Sequence, residues 1–555
     1  MGDRKRIVIL GGGFAGVYTA MALEKAIGRD SDVEVVLVSR ENYLVFQPML
    51  PEVISGSIGI TDVVSPIRRL ARRSELHMRD VEAIDLERKV VVASPGFRPQ
   101  PHVIPYDHLV LALGNVTDFR GMRGLAEHAF PFKNLVDALA LRNHVIRAVR
   151  ESAIERDPAF RRELLTFVVA GGGFSGVEAI AELNDFVRRM ARSFPTIDPK
   201  EIRVVLLHAG DRILPEMAPN LALFAQKILA KRGVEILFKT RLEAATSSTA
   251  VLAGGERIAT RTLVSTVPSF PHPLLEALPL PKGRGGKLKA TAQMQVEGTT
   301  DLWALGDCAL VPMTNGELAP PTAQHAIRQG AVAAHNILAT LRGGPRRIFT
   351  FTGLGKMGSL GHRSAVAEVF GIKISGLLAW FMWRTIYLAK MPGLGRRLKV
   401  ASAWALDLVL PPDLVELRFG DPRGMSQAHY EPGEDVFHEG DVGDRIYFVL
   451  KGQAEVLRRN NGADELVALL GPGDWFGEAA LLNETTRGAT VRCRLTLDVL
   501  SLPKKEFAVL ASNLPDLRRS FDHIMERRGL QKADAPPPIP NPPASGPAGG
   551  APSGS

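Results

Sequence analysis

A chain of 555 residues, 45% hydrophobic and 23% charged, is too long for one ordinary domain and has the composition of a globular protein. Its only cysteines, Cys308 and Cys493, exclude a disulfide framework and a cysteine-ligated metal cluster, and they suit a reducing compartment. The formal charge of +9 is a mild basic excess that suits anionic cofactors or an anionic membrane surface, and no uncharged apolar run reaches the roughly 20 residues that span a bilayer.

The predicted elements begin with a short aliphatic strand, Ile7 to Leu10. Arg4, Lys5 and Arg6 precede it, but the apolar run ends at once in glycines, so no signal peptide is expected. Gly11, Gly13 and Gly16 follow in the spacing G-x-G-x-x-G, with Phe14 and Ala15 inside the turn, then a helix-like stretch from Tyr18 and a second strand, Val33 to Val38. In that context the first glycine permits a tight turn and the second lets backbone approach a pyrophosphate. The third lets helix and strand pack closely, and the helix N-terminus faces the phosphates. An acid usually grips the ribose at the end of the second strand. Here the strand ends in Ser39-Arg40-Glu41, so Glu41 is displaced from the usual place, and Arg40 is among the candidate FAD contacts.

The unit then repeats. Val169-Ala-Gly-Gly-Gly-Phe-Ser-Gly-Val177 copies Ile9-Leu-Gly-Gly-Gly-Phe-Ala-Gly-Val17 between the strands Phe167 to Val169 and Val204 to Leu207. Gly171, Gly173, Phe174 and Gly176 form the second turn, and Glu178 stands early in its helix. His208 replaces the acid at the strand end. It is either an ordinary strand-end residue or a feature that relaxes discrimination between NADH and NADPH, with NADH favoured. Two such units imply parallel sheets, an α/β fold and two dinucleotides.

Further strands read as Leu109 to Gly114, Leu263 to Val267 and Thr300 to Cys308. From Gly371 to Leu417 tryptophan, leucine and arginine dominate, and no acid appears between Glu368 and Asp407. Ile374, Leu377, Leu378 and Phe381 make an apolar helical face on which Arg384 would have to snorkel. Residues 371–410 therefore read as a membrane-facing amphipathic region, the rival being a dimer interface or a lid. Gly420 to Gly424 reads as a linker. From Gln427 to about Gly529 short alternating strands imply a small β-barrel or jelly roll closed by a helix, and the Pro/Gly/Ala/Ser-rich segment after Ala533 reads as a disordered tail. Nucleic acid is not expected as a partner, because the basic residues form no recognition helix.

Strands ending near Gly114 and in Gly306-Asp307 resemble those of flavoprotein reductases with two dinucleotide-binding domains. That resemblance implies an aspartate reaching the ribityl chain of FAD and a nicotinamide domain inserted within the FAD domain. The implied division is 1–125 and 288–345 for FAD, 126–287 for NAD(P)H and 346–417 for a C-terminal extension. A linker at 418–427, a small β domain at 428–530 and a tail at 531–555 follow. The missing cysteine pair disfavours disulfide reductases and sulfide-oxidising relatives.

Within that group the chain resembles type II NADH:quinone oxidoreductases. The residues that carry the resemblance are Asn42 to Leu50, Gly173-Phe-Ser-Gly-Val-Glu178, Asp211-Arg-Ile-Leu-Pro215, Pro320 to Gly330 and Gly355 to Val366. It implies hydride transfer from the nicotinamide to FAD and reoxidation by a quinone. Glu178 would lie near the flavin–nicotinamide contact, and Ala323-Gln324 where quinone approaches. Glu178 also reads as a helix N-terminal carboxylate, and Gln324 as a capping or packing residue. Arg328 stands where the family often has a second glutamine, which keeps open a non-quinone acceptor, as does a soluble reductase reading. The family implies a cytoplasmic protein, peripheral on the cytoplasmic face of the inner membrane, and leaves a homodimer open.

The stretch Phe476-Gly-Glu-Ala-Ala-Leu-Leu-Asn-Glu-Thr-Thr-Arg-Gly488 resembles the phosphate-binding cassette of cyclic nucleotide-binding domains. That resemblance implies Glu478 on the ribose 2′-hydroxyl, Arg487 on the cyclic phosphate and Gly477 in an anion nest. Gly488 lacks the hydroxyl that favours guanine, so cAMP is expected over cGMP. Closure of terminal helices, about 507–528, would carry regulation; a non-catalytic redox and nucleotide sensor is the alternative.

Overall fold

The computed structural model describes residues 4–503 and 507, apart from 29–31, 98–99, 120, 267–268, 408, 411–413, 417–425, 444, 461–462 and 479–485. The expected linker, terminal helices and tail thus lie largely or wholly outside the described residues. The chain divides into two units, Met1–Arg418 and Phe419–Ser555.

In the first unit, β1 (Lys5–Leu10), α1 (Phe14–Ile27), β2 (Val33–Ser39), α2 (Leu50–Ser55), β3 (Glu75–Met78) and β4 (His108–Leu111) come first. Then follow β5 (Ala129–Pro131), α3 (Leu135–Ser152), β6 (Thr166–Ala170), α4 (Phe174–Ala191), β7 (Arg203–Leu207), α5 (Pro219–Lys231), β8 (Val234–Leu237) and β9 (Thr262–Ser265). The strand β10 (Leu302–Ala304) closes the first sheet, whose order is β10-β4-β1-β2-β3, with every pairing parallel. The second sheet, β5-β9-β6-β7-β8, is parallel throughout and lies in sequence between β4 and β10.

Burial on both faces is why these strands read as unbroken aliphatic runs: Ile7 to Leu10 and Phe167 to Val169 are fully buried. In each sheet the chain leaves the central strand to one side and returns to the other, β1 between β2 and β4, β6 between β7 and β9. The carboxyl end of such a strand opens a crevice at the topological switch point. Both glycine turns stand there.

The helix α6 (Ala323–Arg342) follows, then an antiparallel sheet of β11 (Gly355–Ser359), β12 (Ala365–Val369) and β13 (Ile372–Gly376), and two helices, α7 (Leu377–Lys390) and α8 (Leu394–Asp407). Two expectations for this region are corrected. Ile374 belongs to β13, so it is not part of a helical face. Arg384 does not snorkel: its side chain is 14% exposed, paired to Glu52 of α2 and held between Trp380 and Trp404 at 4.1 and 4.5 Å. No described helix is long and apolar enough to cross a membrane.

The second unit is an antiparallel sheet built on β14 (Ser426–Tyr430), β15 (Asp435–Phe437), β16 (Arg445–Asn460), β17 (Ala463–Leu470), β18 (Trp475–Phe476) and β19 (Thr490–Pro503). Its core gathers Tyr447, Val449, Phe476, Val491, Leu497 and Val499, with the Tyr447 and Phe476 rings stacked at 5.1 Å.

Candidate active site

At the first turn Gly11 has φ +116°, and a Cβ there would stand 2.3 Å from the Ala112 carbonyl oxygen. A Cβ at Gly16 would stand 2.0 Å from the Gly11 carbonyl oxygen, whereas one at Gly13 meets nothing within 4 Å. Two glycines are thus demanded by protein packing, and the middle one leaves open space. Gly13 caps α1 without a side-chain hydrogen bond, and no acid lies in the first turn. Phe14 and Ala15 begin the helix and are buried. The free N–H groups and the helix dipole suit an anion.

The second turn repeats this geometry. Gly171 has φ +120°, a Cβ at Gly176 would stand 1.8 Å from the Gly171 carbonyl oxygen, and Gly173 is open. The helix α4, headed by Phe174, likewise lacks a side-chain cap and a first-turn acid. His208 stands over this turn, where a Cβ on Gly172 would come within 2.6 Å of its ring. At the first turn the Ser39 hydroxyl donates to the Glu41 carbonyl, and Arg40 pairs with Asp80 at 2.5 Å. Asp80, after β3, is a partner that the local motif could not reveal.

Of the remaining residues expected around FAD, Gly306 packs on α1. Gly306 has φ +77°, and a Cβ there would stand 3.0 Å from the Ala15 Cβ. Its N–H donates to Gln329 Oε1 at 2.8 Å, so Gln329 is a buried fastener between α6 and this strand end. A Cβ at Gly330 would lie 2.9 Å from the Thr19 hydroxyl, which is how closely α6 sits on α1. Asp307 lies 3.8 Å from Lys133 Nζ. Gly114 has φ +64° and faces open space.

Ala323 and Gln324 open α6. The Gln324 amide donates to the Gly355 carbonyl and accepts from Leu354 N–H, both at 3.2 Å, so it braces the loop before β11. Arg328 donates to the Gln324 carbonyl and lies 3.8 Å over the Phe351 ring. Beside them His325 is buried, bonded through Nδ1 to the Thr322 hydroxyl, while its Nε2 has no hydrogen-bond partner among the described residues.

Glu178, one turn into α4, is buried and accepts from Ser359 N–H at 3.0 Å. Burial pushes its carboxyl up to about 8, opposed by the Ser359 bond and reinforced by the charge of Glu182. Glu182 is likewise raised to about 8, by burial and then by Glu52 and Asp185. Glu52 rises to about 7 through burial, held back by Arg384 and Trp404. This group of buried acids spans α2 and α4, and only Glu178 was visible in the motifs. Burial also raises the Cys308 thiol to about 11, so it is no thiolate nucleophile at neutral pH.

The two open, uncapped turns fit the pyrophosphates of FAD and a nicotinamide dinucleotide. Residues 5–330 match the pyridine nucleotide-disulphide oxidoreductase family, residues 354–409 the NDH2 C-terminal domain, and residues 427–513 the cyclic nucleotide-binding domain. The type II NADH:quinone oxidoreductase NdhA of Mycobacterium tuberculosis is 31% identical over 74% of this chain and 88% of its own length. The chain belongs to the type II NADH:quinone oxidoreductase family. The demethylphylloquinone reductase NdbB of a Synechocystis species is 32% identical over 72% of this chain and 96% of its own. NDH2 of Plasmodium falciparum, solved in complex with NADH, shares the fold at a TM-score of 0.69, with 17% identity over 74% of this chain and 100% of that one. This family member is an NAD(P)H-dependent oxidoreductase whose cofactors are FAD and NAD(P)H.

In the second unit Arg487 is buried and donates to the carbonyls of Gly477 and Arg445, both at 2.7 Å, with its guanidinium 4.2 Å over Phe437. Gly477 has φ +90°, and a Cβ there would lie 2.6 Å from the same guanidinium. Glu478 is buried, and Gly488 faces open space. The rest of the cassette, 479–485, lies outside the described residues.

Proposed function

We propose that the chain passes electrons from NADH through FAD to a quinone on the cytoplasmic face of a membrane, under control of a cyclic nucleotide. The observation that carries this is the pair of uncapped dinucleotide turns in a chain whose flavoprotein unit has one inert, buried cysteine. Electrons delivered to the flavin have no protein disulfide to reduce, so they pass outward. Bound FAD supplies the chemistry: it takes a hydride and gives up electrons singly or in pairs. The protein aligns the reactants and excludes water. Glu178 orients the nicotinamide edge or holds a proton there, and Gln324, by bracing the 354–355 backbone, shapes the approach of the acceptor.

Membrane attachment is supported by the exposed Leu377, Leu378 and Phe381 of α7 and Leu394, Leu398 and Leu406 of α8, with exposed Lys373, Lys390 and Lys399 in the same segment. That combination suits the headgroup boundary of anionic lipid. Retention of Glu478 and Arg487, both buried in the second unit, supports binding of a cyclic nucleotide, with cAMP favoured by Gly488. Anaerobic addition of NADH to the purified yellow protein tests the reading. The flavin should bleach, and a water-soluble quinone should restore it far faster than oxygen does. Flavin that NADH reduces but quinone leaves reduced would overturn it.

A further inference from the structure

The carboxyl end of the second sheet carries a glycine turn and His208. At the opposite, amino end lies an open groove of about 760 Å³. It is bounded by the short helix Pro158–Leu164, the single helical turn Pro199–Glu201 and the first residues of β7 and β8. That volume falls in the range of small-molecule sites, roughly 300–1,000 Å³.

The walls of the groove are tied together. Arg161 of the helix holds Glu201 of the turn through Nε and Nη2, at 2.7 and 3.1 Å, and also donates to the Thr196 carbonyl. Arg203 and Glu235 join β7 to β8 at 2.9 and 3.1 Å. From α4, Arg188 donates to the carbonyls of Pro199 and Gly233, at 3.3 and 3.1 Å, one on each wall. A groove braced in this way exists before any ligand arrives, so binding there orders little of the protein.

The charges in it do not balance. Arg156, Arg161, Arg162, Lys200 and Arg203 line it against Glu155, Glu201 and Glu235. Every acid is already engaged: Glu201 by Arg161, Glu235 by Arg203, and Glu155 by the N–H groups of Arg156 and Asp157 at 2.6 and 2.8 Å. The side chains of Arg156, Arg162 and Lys200 are exposed and have no hydrogen bond or ion pair among the described residues. Three cations in one groove repel each other, and a bound anion converts that repulsion into attraction. Pro158, Ile202 and Val204 give the same groove an apolar part.

We propose that this groove is a binding site for a small organic anion that carries two or more phosphate or carboxylate groups. Arg156, Arg162 and Lys200 take the charged groups through charge-assisted hydrogen bonds, the arginine forks in bidentate fashion. Pro158, Ile202 and Val204 take the carbon skeleton. The five residues of β7 separate the groove from His208, about 16 Å of strand. The anion therefore occupies a place of its own and does not displace the nicotinamide dinucleotide.

Calorimetric titration of the full FAD-loaded protein tests this, with NAD⁺ and cAMP at saturation so that the other nucleotide sites are filled. The probes are inorganic tripolyphosphate, which reads the charge, and citrate, which adds a carbon skeleton. Both should bind at one site per chain, more weakly as salt rises. Binding should fall about tenfold in Arg162→Ala and vanish when Arg156→Ala and Lys200→Ala are added. These side chains are exposed, so flavin content and melting temperature should stay at wild-type values and separate lost binding from lost folding. A control that replaces Lys25, Arg88 and Arg257, exposed cations outside the groove, by alanine removes the same charge and should bind both probes as the wild type does. Wild-type protein that takes up neither probe would overturn the assignment. So would a triple groove variant that still binds, or a control that loses as much as that variant.

Discussion

At Gly11 a methyl group has nowhere to go, with the Ala112 carbonyl oxygen 2.3 Å from its position and a backbone φ of +116°. Gly11→Ala is expected to purify with little FAD, read as loss of yellow absorbance, whereas Gly13→Ala, in open space, should fold but bind the pyrophosphate less tightly. The buried acids make a second residue-scale prediction. Unfolded glutamate titrates near 4.5, while folded Glu178 and Glu182 titrate near 8. Between those values the folded state holds protons that the unfolded chain has released. Stability therefore falls as pH rises through that window and levels off above it. Melting curves from pH 5 to 9 should show this slope, and Glu182→Gln should flatten it by an amount of order a few kcal/mol. An unchanged slope would mean that Glu182 is ionised in the folded protein.

Among the elements, α7 shows where local pattern misleads. Aromatic and basic residues without acids describe a lipid-facing helix and an internal clasp equally well. Here Trp380, Trp383 and Trp404 are buried, and Arg384 reaches Glu52 across 332 residues of sequence. No window of the sequence contains both partners. The parallel strands were legible because burial on both faces writes itself as an aliphatic run, and the glycine turns because packing permits nothing else. Glu52, Glu182 and Gln329 were not, since their roles depend on which helix lies opposite. Arg384→Met should destabilise by about 3 kcal/mol at pH 8, where the buried Glu52, without the cation that holds its carboxyl down, must take up a proton or stay charged and unpaired. The loss should be smaller at pH 5, where Glu52, raised to about 7, is neutral. Replacing the exposed Leu377, Leu378 and Phe381 by serine should leave melting nearly unchanged and lower sedimentation with anionic vesicles severalfold.

For the molecule as a whole, a flavoprotein and a cyclic nucleotide-binding domain share one chain, and both were readable because each rests on a dense local motif. A ligand that binds the folded state raises stability by mass action, about 2.7 kcal/mol at a hundredfold excess over Kd. Saturating cAMP should raise the melting temperature of the second unit, and Arg487→Ala should remove the shift. One anaerobic titration of the full protein tests electron transfer to a quinone most directly. NADH should bleach the flavin in a one-to-one ratio, and a quinone should restore its colour far faster than oxygen does. Flavin that stays reduced when quinone is added, or that NADH never bleaches, would contradict it.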